Sequence, residues 1–222
     1  MADITDFDDK LFYSSIEKFE KAAKDVLSAI ADNYSNFMTS MSETWASPNA
    51  IVFKDWVNSK QYDLESEFLK TCNAIMMNAA RTMTEAAVAN GKTKNNYISS
   101  HGRLKYYPVH QIGTWGDSKD GMVGMNMGII LDDILPTYEN NLKSIISKVD
   151  SIPKEIVLYQ DVNGIKHSYS VSVKQLGNRV KEHLVLLKDK INAYIVEETD
   201  NIMLAVKEAQ GIIESMTNTR NN

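Results

Sequence analysis

The chain has 222 residues, 43% of them hydrophobic and 24% charged, with a formal net charge of −5 and a single cysteine. Such a composition supports one sizeable core or two small ones and excludes intrinsic disorder as the governing state. The weak acidic balance excludes the concentrated basic surface of a nucleic-acid binder, one cysteine excludes an intrachain disulfide framework, and no run reaches the roughly eighteen apolar residues of a membrane span.

The amino terminus, Met1-Ala2-Asp3-Ile4-Thr5-Asp6, is acidic and lacks the basic-then-apolar order of a cleaved signal peptide. The expected location is therefore outside the cell by a route without a cleaved signal, or the cytoplasm, or a virus particle. From Leu11 to Met41, Phe12, Ile16, Phe19, Ala23, Val26, Ile30, Tyr34, Phe37 and Met41 recur at spacings of three and four, the mark of one apolar stripe on a helix. From Phe53 to Ala89, the positions Phe53, Val57, Gln61, Leu64, Phe68, Cys72, Ile75, Ala79, Met83 and Ala86 follow a four-four-three rhythm. That rhythm is an eleven-residue repeat and predicts nearly straight packing. Cys72 lies on this stripe and reads as a small core hydrophobe. Neither stretch contains proline or glycine, and each predicts roughly 45 Å of rod at about 1.5 Å rise per residue.

Between the rods stands Trp45-Ala46-Ser47-Pro48. Ser47 suits the N-cap of the second helix and Pro48 its first helical position. A helical hairpin bent at a tryptophan resembles the WXG family, the ESAT-like proteins of type VII secretion, over roughly residues 10–90. Ser47 stands where that family has glycine, and the chain continues well beyond the hairpin. The resemblance implies a noncatalytic interaction protein and a Tyr-x-x-x-Asp/Glu export signal. Matches occur at Tyr13 to Glu17 and at Tyr194 to Glu198, the second being the better placed. For Trp45 the plainest expectation is a plug that closes the end of a bundle; exposure would instead imply a partner surface.

Asn90-Gly91 ends the second helix. Residues 91–128 hold seven of the ten glycines and carry five basic residues against two acidic ones. This irregular connection supplies aromatic and basic candidates for a partner contact: Tyr97, Arg103, Lys105, Tyr106, Tyr107 and Trp115. Alternatively it is a crossover draped on the bundle, with Leu104 to Ile112 able to supply a strand. Residues 121–135 form a glycine- and methionine-rich apolar run that suits core, a subunit contact or membrane insertion. Pro136 is expected to open a helix through Val149.

After Pro153 the period switches to alternation, and Asn163-Gly164 predicts a tight β-hairpin over residues 155–173. The last element, from about Val173 to Met216, carries Leu176, Val180, Leu184, Leu187, Ile191, Tyr194 or Ile195, Ile202, Ala205, Ala209, Ile212 and Met216, with Glu198 interrupting the stripe near its middle. A helix of this length finds partners along its surface or projects beyond the fold. The predicted fold class is mainly α: a long antiparallel hairpin or bundle (1–90), a glycine-rich connection (91–128), and a helix, β-hairpin and long C-terminal helix packed on the first hairpin (129–222).

Chemistry is sparse. His101, His110, His167 and His183 stand at no metal-ligand spacing, Asp132-Asp133 and Glu197-Glu198 read as solvated faces, and Asp117 to Gly121 has too few alternate acids for a calcium loop. No catalytic residue, metal site, cofactor or small-molecule substrate is expected. Three function classes follow. The first is a noncatalytic helical interaction protein similar to the WXG substrates, self-associating or paired with a second helical chain. The others are a structural subunit of a larger assembly such as a phage virion or tail, and a helical pore-former.

Overall fold

The computed structural model describes residues 8–92, 97–116 and 124–220, the last with side chains to residue 213. The protein is mainly α, as its periodicity predicts. Helix α1 spans Lys10–Thr44 and α2 spans Pro48–Ala89, joined by a two-residue strand β1, Trp45–Ala46. Every residue of the predicted α1 stripe from Phe12 to Met41 is buried. The α2 stripe is buried from Phe53 to Met83, and burial pushes the Cys72 thiol up to about 12. α2 begins five residues earlier than its periodicity marks, because Pro48 occupies the first turn and Ser47 caps it.

A short helix α3, Tyr97–His101, closes the open end of the hairpin. Tyr97 lies edge-on to Phe12, with ring centroids 5.5 Å apart, and its hydroxyl donates to Asp9 Oδ2 at 2.8 Å. From there residues 103–116 run as an extended strap along α1 and α2 back to the tip, without forming a strand. Side chains of the helices take the hydrogen bonds a strand would have made. Leu104 N donates to Asn73 Oδ1 at 2.6 Å and Gln111 N donates to Ser35 Oγ at 3.1 Å.

Strand β2, Gly124–Met125, pairs with β1 antiparallel, Trp45 opposite Met125. It leads into α4, Met127–Ile129, a π-helical turn over Ile130–Ile134, and α5, Leu135–Asp150. Pro136 stands in the first turn of α5, as expected, although the π turn runs directly into it. Proline has no N–H for Asp132 and its ring crowds that carbonyl, and the wider π turn, in which Leu135 N–H reaches Ile130 O, relieves both. The run expected at 121–135 thus becomes strand and helix from Gly124 onward; its first three residues, and Asp117 to Asp120, lie outside the described residues.

Strands β3, Glu155–Gln160, and β4, Lys166–Ser170, form the predicted hairpin. Its loop is longer than an Asn-Gly pair requires, because the Asp161 side chain accepts the N–H groups of Asn163 and Ile165 at 2.9 and 3.0 Å, an Asx turn that widens the bend. Gly164 adopts φ +78° within it. The ribbon leans on α1, with Val157 N donating to Ser15 Oγ at 2.9 Å. Helix α6, Lys174–Arg220, returns along α5 and α2, burying Leu176, Val180, Leu187, Ile191 and Tyr194. No described helix is long and apolar enough to cross a membrane.

Candidate interaction site at the hairpin tip

The turn between α1 and α2 is knitted to α6. Trp45 is fully buried, packed against Phe53 at 5.1 Å and edge-on to Tyr194 at 5.3 Å. Its indole Nε1–H donates to Ser47 Oγ at 2.9 Å and to Glu198 Oε1 at 3.2 Å. Ser47 in turn donates to Glu198 Oε1 at 2.6 Å while accepting from Ala50 N at 3.2 Å. A hydroxyl has one donor and two acceptor positions, and Ser47 uses all three. Ser47 is thus the hub that joins cap, tryptophan and distant carboxyl.

Glu198 is 6% exposed and is no part of a solvated face. Tyr194 and Glu198, read from the sequence as an export signal, stand one helical turn apart on the side of α6 that seals the tip, so both are covered by the protein itself. Lys190, one turn earlier, holds its Nζ 4.7 Å from the Tyr194 ring and 5.8 Å from that of Trp56. Two regions read separately in the sequence, Trp45-Ser47-Pro48 and Tyr194-Glu198, are one site.

The residues expected as partner contacts divide. Tyr97 is buried and belongs to the core at the open end, not to a surface. Arg103 and Lys105 are exposed, Tyr107 is 87% exposed and Val109 81%, and these side chains share the outer side of the strap. Tyr106 and Trp115 are half-buried and pack against the core, Trp115 6.4 Å from Phe53. Tyr194 and Trp115 therefore both reach Phe53 beneath the tip.

A second polar cluster, not anticipated from the sequence, lies under the strap. Glu65 is buried, accepts from Gln61 Nε2 at 2.5 Å, and lies 3.0 Å from His110 Nε2. Burial raises the Glu65 pKa, opposed by the Gln61 hydrogen bond and by His110. Tyr34 packs edge-on to His110 at 5.0 Å and donates to Asn58. The only sequence signal was Gln61 within an otherwise apolar stripe; Glu65 and His110 stand 45 positions apart, which hides the pairing. Two adjoining grooves between α1 and α5, of about 240 and 180 Å³, are lined by Asn33, Asn36 and Asn141 and lack the enclosed apolar walls of a small-molecule site.

Among the described residues no group of three or more His, Cys, Asp or Glu could hold a metal ion. No family model, curated protein or solved structure matches the chain.

Proposed function

We propose that the protein is a noncatalytic helical interaction protein that resembles the type VII secretion substrates of the WXG kind and acts through packing surfaces. The observation that carries this function is the tip itself: a hairpin turned at a buried tryptophan, capped at the next helix, and closed by the Tyr194 and Glu198 pair of α6. Its polar groups satisfy one another, which suits a rigid plug that holds the packing surfaces in place rather than a reaction centre. Because Tyr194 and Glu198 are covered, a receptor reading them as an export signal requires that α6 lift from the tip.

The test is the absolute mass in solution by light scattering, across a concentration series, with and without anionic liposomes. The expected result is a species of one or two 25.0 kDa chains that ignores lipid. A large ring or filament would overturn this function in favour of a particle subunit, and assembly confined to lipid would overturn it in favour of a pore-former.

A further inference from the structure

The strap over the helical hairpin is tied down beside a carboxyl that the fold buries. Residues 103–116 run extended across α1 and α2 without a strand partner, held by Leu104 N–H on Asn73 and by Gln111 N–H on Ser35. Next to the second tie, His110 Nε2 lies 3.0 Å from Glu65 Oε2 of α2. The Glu65 side chain is 7% exposed and that of His110 28%, so the acid lies beneath and the imidazole forms part of its cover. Lifting the strap removes that cover and returns Glu65 to water.

The groups around Glu65 come from three elements. From α2, Gln61 Nε2 donates to Oε1 at 2.5 Å. From α1, Tyr34 lies edge-on to His110 and donates its hydroxyl proton to Asn58. From the strap come His110 and Tyr106, the latter also facing Asp32. Burial and then the Glu65 charge hold the Tyr34 and Tyr106 phenols above their ordinary range, so neither takes that charge over. Among the described residues no lysine or arginine comes within ion-pairing distance of Glu65, which leaves His110 as the side chain that can meet it with a positive charge.

Both members of the pair push in one direction. Burial raises the Glu65 carboxyl above its ordinary range, against the Gln61 hydrogen bond and the His110 charge, so the covered acid keeps a proton that the uncovered acid releases. Rising pH therefore favours the uncovered form. A protonated His110 attracts the carboxylate, whereas a neutral imidazole only donates a hydrogen bond to it, so loss of the histidine proton weakens the same contact. We propose that the Glu65 and His110 contact is a proton-operated latch, which holds the strap against α1 and α2 at acid pH and releases its middle, residues 105–110, as pH rises. The latch goes beyond the interaction function proposed above and does not depend on it. It governs whether the outward row Arg103, Lys105, Tyr107 and Val109 stands in one fixed line.

Tyr107, 87% exposed between the two ties, is the reporter position, and the native Cys72 is buried. A nitroxide on full-length Tyr107→Cys, read by continuous-wave EPR from pH 5 to pH 8.5, is expected to show a mobile component that grows several-fold across that range. With Glu65→Gln added, which keeps the size and hydrogen bonding of the side chain without its charge, the mobile component is expected to stay at its low, acid level throughout. A nitroxide on Tyr62→Cys, exposed on α2, is expected to hold one spectrum at every pH, which confines the change to the strap. A Tyr107→Cys spectrum unchanged by pH would overturn the latch with no substitution at position 65 needed. A rise that persists in Glu65→Gln would overturn it by assigning the titration to another group, as would an equal rise at Tyr62→Cys.

Discussion

Ser47 shows how much one side chain can organise. Glycine here would leave Trp45 and Glu198 joined by a single 3.2 Å bond and leave the Ala50 N–H only the backbone carbonyl of residue 47, at 3.0 Å, as acceptor. Ser47→Gly is expected to lower unfolding stability by about 1–3 kcal/mol, mostly from buried hydrogen bonds rather than from the cap, measured by urea titration. A double-mutant cycle with Glu198→Ala should give a coupling of about 0.5–3 kcal/mol; additive losses would contradict a shared network. Trp45→Ala, which empties a fully buried site, should cost about 3–5 kcal/mol. His183 makes a separate point. Its Nε2 is buried with no partner among the described residues, and burial, helped by Lys60, lowers its pKa to about 4. The unfolded chain, titrating near 6.5, takes up a proton that the folded chain refuses, so stability is full above pH 6.5 and is lost as pH falls toward 4, by roughly 3 kcal/mol. Urea titrations at pH 7 and pH 4.5 should show the fall, and His183→Leu should flatten it.

At the scale of elements, the helices were legible because stripes of period 3.6 survive whatever surrounds them. The N-cap at Ser47 and the first-turn proline were legible because both act locally. Pro136 was legible as a first-turn proline of α5, but the π turn that runs into it, with Ile130 and Ile134 buried, was not. The strap misled. Leu104 to Ile112 alternates well enough for a strand, but α1 and α2 answer its backbone with Asn73 and Ser35. Gly113 secures it with φ +68°, and a Cβ there would lie 2.1 Å from Ser42 Oγ. Gly113→Ala should therefore loosen the strap at a cost of about 1–3 kcal/mol, seen as roughly tenfold faster tryptic cleavage after Lys105. Unchanged cleavage would show that the strap is held elsewhere, with the Glu65 and His110 pair the next element to remove.

At the scale of the whole molecule, the long separations decide what a sequence conceals. The tip site joins residues 151 and 153 positions apart, and no local pattern announces that Glu198, which breaks an apolar stripe, does so in order to meet Ser47 and Trp45. The break also marks where α6 stops being core and starts to project. Covering of Tyr194 and Glu198 and exposure of the stripe beyond them are two consequences of one helix passing one turn. The rigid tip proposed for the protein depends on that closure holding in solution. The most direct measurement is hydrogen exchange at the Trp45 indole N–H, followed by nitrogen-edited NMR in the native chain and in Glu198→Ala. The closed tip predicts slow exchange in the native chain and a marked acceleration in Glu198→Ala. Exchange at the rate of a solvent-exposed indole in the native chain would contradict it.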